Sequence, residues 1–313
     1  MSLNEGDILT VGSNGSAVLA FANGSAEDDR MTVTAGSTLS FSKLSNRKGT
    51  ITKVSMFNGS AWVEVKSITN KDDAFSLETP TAIMGVRGTH LLVTVDPISG
   101  ATHLTVAAGI VNTRTTDADN PDEKDVYPTQ SALVVNDGKD LSQVTIASVD
   151  VTRLLKQSDG RIAQAIMEAA GEIQIENDRK MNQYLVQLAP QDNQSEKTRV
   201  KTNVENILGA ITDQALSEGL ISQSRINEIL NAVREQAGVE IDLTKKSIML
   251  TEEEKRVKEE QRKKDEEARK RAEERLEQER GSANNGLPSN SGKSVRSERK
   301  PNAKNCWRKT NGQ

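Results

Sequence analysis

The chain has 313 residues, of which 35% are hydrophobic and only 3% aromatic, so it is too long for one small core and lean in apolar mass. Charged residues make up 27%, yet the net charge is -4, a mixed-charge balance that gives no whole-chain attraction to nucleic acid or an anionic membrane. One cysteine, Cys306, excludes an intrachain disulfide and a Cys-rich zinc site, and no apolar run approaches the roughly 20 residues of a spanning helix.

From Ile8 to about Val151 the texture is short β-type runs between Gly, Asn, Asp and Ser. In chain order they are Ile8–Val11, Ala17–Phe21, Met31–Val33, Thr38–Phe41, Ile51–Val54, Ala61–Val65, Phe75–Leu77, His90–Val95, Thr102–Val106 and Ile110–Val111. Many alternate apolar and polar residues, the period-2 pattern of half-buried strands, and turn signals recur about every ten residues. That spacing predicts an all-β sandwich, barrel or solenoid. Asn-Gly-Ser-Ala occurs at 14–17, 23–26 and 58–61. Its spacings share no period, so it reads as one kind of turn used three times, with Asn-Gly supplying positive φ. Formally the same residues are glycosylation acceptors, but the turn explains them without a glycan.

Within this region Gly85 and Gly88 bracket Val86-Arg87, a spacing that suits a tight bend or a close backbone approach. Pro80 keeps Thr79 extended. Arg87 can donate into the turn to carbonyls or a carboxylate, and this structural role is preferred over a binding role. His90 and His103, the only histidines, stand on expected strands without grouped acidic partners, a poor basis for a metal site. The acidic stretch Asp117–Asp125 is similar to a calcium loop at Asp117 and Asp119. Pro121 and Asp122 then break the EF-hand pattern, and a solvated flexible linker is expected. Neither a nucleophile elbow, a P-loop, a dinucleotide fingerprint nor a zinc-protease motif is present, so no enzyme and no cofactor is expected.

The run from Phe75 to Val111 resembles the FecR domain, the periplasmic part of the ferric-citrate regulator family. The resemblance rests on Phe75, Thr79, Pro80, the core Val86, Arg87, Gly88 and Thr89, and Val106, Gly109 and Val111. Gly6-Asp7, Leu9, Ala17, Leu19 and Gly24-Ser25 fit the family's opening, and Tyr127–Gln130 its downstream segment. It covers about residues 1–135. It implies an extracytoplasmic all-β domain, a β-solenoid or rolled β-sandwich, that binds or transmits rather than catalyses, and it gives Thr79, Pro80, Val86, Arg87, Gly88, Thr89 and Gly109 a structural role. Family regulators carry an anti-sigma segment and a membrane helix before the domain, and neither precedes Gly6 here. Met1 is therefore read as an internal methionine of a longer secreted protein whose signal peptide lies upstream; the alternative is a cytosolic protein.

After Asp150 the period changes. Ile162, Ile166, Ala169, Ile173, Met181, Tyr184, Leu185 and Leu188 predict one helix ended by Pro190. Val200, Val204, Ile207, Leu208, Ile211 and Ala215 predict a second closed by Gly219, and Ser224 to Gly238 a third. Thr251–Glu254 is a capping box opening a charged helix to about Arg280. Its Glu254–Lys258, Glu259–Lys263, Glu260–Lys264, Asp265–Arg269 and Glu266–Lys270 spacings predict intrahelical ion pairs. Val257, Ala268, Ala272 and Leu276 are too sparse for a heptad seam, so a solvated single helix is expected rather than a coiled coil. From Gly281 the composition predicts a disordered basic tail.

The expected architecture is thus a FecR-like β domain over 1–150, a helical region over 151–250, a charged helix over 251–280 and a tail over 281–313. The expected function is a non-catalytic extracytoplasmic binding or scaffold module for an unidentified protein or cell-envelope polymer. A regulator of cell-surface signalling is the alternative.

Overall fold

A computed structural model describes residues 2–21, 29–45, 50–66, 74–136, 142–188, 193–244, 247–248 and 250–285. The β-type alternation of the first half becomes β1 (Ile8–Thr10), β2 (Ala17–Phe21), β3 (Asp29–Val33), β4 (Thr38–Ser45), β5 (Thr50–Val65), β6 (Ala74–Glu78) and β7 (Ala82–Val86). The series continues with β8 (Thr89–Val95), β9 (Thr102–Ala108), β10 (Val111–Thr115), β11 (Glu123–Val126), β12 (Gln130–Asn136) and β13 (Ser142–Ser148). Sheet A runs β1-β4-β5-β6-β7-β10-β11, with β5 and β6 parallel and every other pair antiparallel. Sheet B runs β2-β3-β5-β8-β9-β12-β13, all antiparallel.

Both sheets share β5. Its first half lies between β4 and β6, and from Gly59 onward it lies between β3 and β8. The Ile51–Val54 and Ala61–Val65 runs are therefore one strand, and Asn58-Gly59 is a corner inside it rather than a hairpin turn. The positive φ expected of the dipeptide is real, at +98° for Gly59. A Cβ there would lie 2.6 Å from the Ser37 Cα, so only glycine lets the two sheets fold over each other at this point. Gly15 closes the first Asn-Gly turn onto the Gly12 carbonyl, and Asn23-Gly24 falls outside the described residues.

The pleat sends alternate side chains inward. Leu39, Val54, Met56, Leu77 and Met84 of sheet A meet Met31, Val63, Leu91, Val93, Leu104 and Val134 of sheet B in one buried cluster. Each large apolar side chain so buried contributes about 1.5–3 kcal/mol. The result is a rolled sandwich. On one side the edges are stitched together. Asp122 Oδ2 accepts from the Val144 backbone N–H at 2.8 Å, and Lys124 donates to the Val144 carbonyl, joining β11 to β13. The acidic stretch is accordingly not a flexible linker. Asp117 caps its turn by accepting from Asp119 and Asn120 backbone N–H groups, and Thr115 accepts from that of Asp122.

Where β13 ends, Asp150 accepts from the Arg153 N–H and starts α1 (Val151–Gln157). Asp159 caps α2 (Gly160–Glu168) by accepting from two N–H groups, and α3 (Ala170–Leu188) and α4 (Asn193–Ser217) follow. The cap of α5 (Gln223–Ala237) is Ser222, two residues before the expected Ser224, and Gly238 ends it at φ +65°. The capping box forms as read: Glu254 N–H donates to Thr251 Oγ1 at 3.2 Å and Thr251 N–H donates to Glu254 Oε2 at 2.7 Å, opening α6 (Glu252–Asn285). Ile162, Ile166, Ile173, Leu208 and Ile211 bury against each other and against Trp62 and Leu92 on the outer face of sheet B. Met1–Glu274 is one compact unit, and Arg275–Gln313 a second, described only along its helical start.

Candidate functional site

The motif residues fall into two groups at opposite ends of β7, whose five residues span about 17 Å. At its start is a knot of buried hydroxyls. Thr79 Oγ1 accepts from the Ala82 N–H at 2.9 Å, and Thr102 Oγ1 stands 2.6 Å from Thr79 Oγ1 and 2.8 Å from Thr81 Oγ1. The one proton of Thr81 Oγ1 is shared between the Gly100 carbonyl at 3.0 Å and the Val134 carbonyl at 3.1 Å, so β7 is tied to β9 and β12 across the sandwich. Pro80 is exposed between them, and its carbonyl accepts from Thr116 Oγ1.

At the far end of β7, Val86 is in the core and Thr89 is fully buried. Gly88 turns the chain into β8 at φ +62°, while Gly109 sits at φ +86°. A Cβ on Gly109 would lie 2.6 Å from Thr89 Oγ1 and 2.8 Å from Thr89 Cα. The Gly88-Thr89 and Gly109 turns therefore stack, which explains a pair of glycines separated by twenty residues. Gly85 takes no part in a bend. It lies within β7, between Ser76 and Asn112, with room for a Cβ. Arg87 does not fill the turn either; it is exposed and makes no hydrogen bond or ion pair among the described residues.

The two histidines stand on the outer face of sheet B and each meets a helix carboxylate. His90 is paired across the ladder with Glu64, and its Nε2 is 3.5 Å from Glu172 of α3. Neither His90 nitrogen makes a full hydrogen bond, so the contact is electrostatic, an ion pair when the ring carries its second proton. Lys66 reaches the same Glu172 oxygen. The His90 side chain holds Glu172 down at about 2 against burial, with Lys66 adding to the effect. Burial pushes Glu64 up, opposed by His90 and by the Trp62 Nε1–H it accepts at 2.9 Å.

His103 Nε2 lies 2.9 Å from Asp265 Oδ1 of α6, and Arg153 of α1 binds the other oxygen. Burial pushes the Asp265 carboxyl up, but His103 and Arg153 outweigh it and hold it at about 2. These contacts overturn the solvated-helix expectation: α6 lies on sheet B. Glu254, Lys258 and Asp265, assigned by spacing to intrahelical partners, turn instead to Arg199, Asp150 and the His103–Arg153 pair. Of the expected pairs, Glu259–Lys263 at 3.9 Å and Glu260–Lys264 at 2.7 Å do form. Spacing finds a partner on the same helix; it is blind to a better one on the sheet.

The titratable groups brought together here fasten helices to a sheet. Among the described residues no group of three or more His, Cys, Asp or Glu is arranged to hold a metal ion. The apolar cavity between sheet B and the helices, lined by Trp62, Leu92, Ile166, Ile173, Leu208 and Ile211, is about 20 Å³, room for about one water.

Among the described residues the helices pack on the outer face of sheet B, leaving its edge strand β2 uncovered with Val18 69% exposed, and none of them packs on the outer face of sheet A. A row crosses it as Ile8, Ser40, Ser55, Glu78, Ile83, Arg114 and Glu123. Beside it runs Ser42, Lys53, Ser76, Gly85, Asn112 and Asp125. Lys53 pairs with Glu78 at 2.7 Å and Asn112 donates to Glu123 and Asp125, while Arg114 has no partner among the described residues. Ile8 is 66% exposed and Phe57, at the bulge of β5, 49%.

Residues 7–112 match the family described as FecR protein, within the stretch of about 1–135 that the resemblance covers. Two crystal structures of one protein from Parabacteroides distasonis ATCC 8503, described as a candidate anti-sigma factor, are similar at 16% identity and a TM-score of 0.38. The similarity covers 47% of this chain and 62% of that one, so this chain spans less than two thirds of that protein. No curated protein matches the chain.

Proposed function

We propose that this chain, whose residues 7–112 form a FecR domain, is a non-catalytic binding module that acts outside the cytoplasm and holds a protein partner on the outer face of sheet A. The observation that carries the reading is the asymmetry of the sandwich. Helices occupy the outer face of sheet B except at its edge strand β2, while sheet A presents a mostly polar face with Ile8, Ile51 and Phe57 exposed. Exposed apolar side chains within a polar rim are the chemistry of a protein interface more than of a polysaccharide groove. A regulator of cell-surface signalling is the second reading, supported by the FecR match itself, and it would use the same face for its signalling partner.

The test is photo-crosslinking in producing cells, with the crosslinking side chain placed at Ser40, Ser76 or Arg114. Discrete protein adducts at these positions, absent when the probe replaces exposed Glu228 of α5, are expected. A carbohydrate adduct would assign the face to an envelope polymer, and no adduct at any of the three would overturn the proposal.

A further inference from the structure

The side of α6 that meets the body is a periodic stripe of unusual composition. Glu254, Lys258, Gln261, Asp265, Ala268 and Ala272 follow alternating steps of four and three, the spacing of a coiled-coil seam, but four of the six are polar. Each polar member finds a specific acceptor or donor. Glu254 takes Arg199 at 2.7 Å and Ser148 Oγ at 2.8 Å, and Lys258 takes Asp150 at 3.1 Å. Gln261, 7% exposed, donates to the Thr145 carbonyl at 2.8 Å and to the Ser131 carbonyl at 3.3 Å. Asp265 takes His103 and Arg153. Only Ala268, over buried Ala101, Leu133 and Val135, and Ala272 add apolar burial.

Two consequences follow from magnitudes. The ion pairs are partly exposed and the two alanine methyls bury little apolar area, so α6 is held by far less apolar burial than α2 or α4 with their buried isoleucines. Meanwhile α6 keeps internal support when detached: Arg262–Glu266, Lys264–Glu260 and Arg269–Glu273 pair within the helix, although Lys264 also reaches Gln143 and Thr145 on β13 and Arg269 comes within 4.0 Å of Asp96. A helix stable by itself but loosely docked belongs to the low-stability end of the molecule.

We propose that the outer face of β9, β12 and β13, flanked by Arg153 and Arg199, is a helix-recognition site, and that α6 is its built-in, displaceable ligand. The partner it fits is an acidic helix carrying two carboxylates eleven residues apart on one side, about three turns and 16 Å. The first reaches Arg199 and the second the His103–Arg153 pair, with a carboxamide between them for the strand carbonyls. This surface lies on the opposite sheet from the open face assigned above, and stands or falls separately from it.

The experiment uses the full chain and a fluorescent peptide of residues 251–274 as probe. In the Glu254→Gln/Asp265→Asn variant, α6 amides should exchange at least tenfold faster than in the parent, with β8 and β9 amides unchanged. The native peptide should bind that variant at least tenfold more tightly than it binds the parent chain, and a peptide carrying Asp265→Lys should bind neither. Ala268→Arg, which sets a large cation over Leu133 and leaves every sheet residue native, should behave as the double variant does. Unchanged exchange in both variants would show that the stripe does not hold the helix. Faster exchange without binding of the native peptide, or equal binding of the Asp265→Lys peptide, would show that the sheet recognises no helix. Either result overturns the proposal.

Discussion

Three glycines to alanine separate backbone strain from steric contact in the stacked turns of the motif. Gly85 has ordinary strand geometry, with its nearest neighbour, the Asn112 Cβ, 4.0 Å from an added methyl. Gly85→Ala should therefore change stability by no more than about 0.5 kcal/mol. Gly36 has φ +72° and nothing within 4 Å, so Gly36→Ala isolates the left-handed cost, about 1–2 kcal/mol. Gly109 combines φ +86° with a Cβ site 2.6 Å from Thr89 Oγ1, and the carbonyl of Gly88 is closer still. Overpacking of a rigid backbone adds about 1–3 kcal/mol, so Gly109→Ala should cost about 2–5 kcal/mol in all. Each kcal/mol lowers Tm by about 2–4 °C in a unit of this size, giving a fall of roughly 4–20 °C. Urea unfolding followed by circular dichroism reads the series, with the midpoint moving and the slope constant. Equal losses for Gly36→Ala and Gly109→Ala would refute the claim that the two turns press against each other.

Acid should loosen the carboxylate clamps before it unfolds the sandwich. Asp265 and Glu172, held at about 2 against ordinary values of 3.8 and 4.5, contribute stability that is complete above the ordinary range and lost as pH falls toward 2. For Asp265, with a side chain only 19% exposed, that is about 1–2 kcal/mol; hydrogen exchange of α6 between pH 5 and 2.5 should show it, and Asp265→Asn should reduce the pH dependence, the remainder coming from Glu254 and Asp150, whose partners also hold them below their ordinary values against burial. Asp122→Ala should leave the Val144 N–H without its acceptor and cost about 1–3 kcal/mol, with faster exchange confined first to β11 and β13. Unchanged exchange in those two strands would mean that the sandwich closes without this stitch.

Local signals carried much of the fold. Period-2 runs such as Ala61–Val65 and His90–Val95 are strands, the isoleucine stripe around Ile162 and Ile166 is helical, and Thr251-x-x-Glu254 caps a helix as its side-chain reach requires. The strands left unassigned, β7, β11, β12 and β13, lacked that contrast. Ser-Ala-Leu-Val-Val in β12 has no alternation because both its faces are covered, one by the core and one by α6. The motif glycines were legible as backbone positions, but Gly85 and Gly88 look alike in sequence while only Gly88 has positive φ.

Composition and spacing by themselves determined that this is a β region followed by helices, where the strongly alternating strands and the capped charged helix lie, and that Gly59 and Gly88 stand at bends, because those properties depend on neighbours a few residues away. Only the tertiary structure decided that β5 serves both sheets, that each histidine faces a helix carboxylate, and that α6 lies on the sheet. Such contacts join residues as far apart as His103 and Asp265, 162 positions along the chain. A charged side chain has the same local pattern whether its counter-ion is one helical turn away or across the molecule. The choice is made by which pairing is better shielded from water once the apolar layers have set the distances.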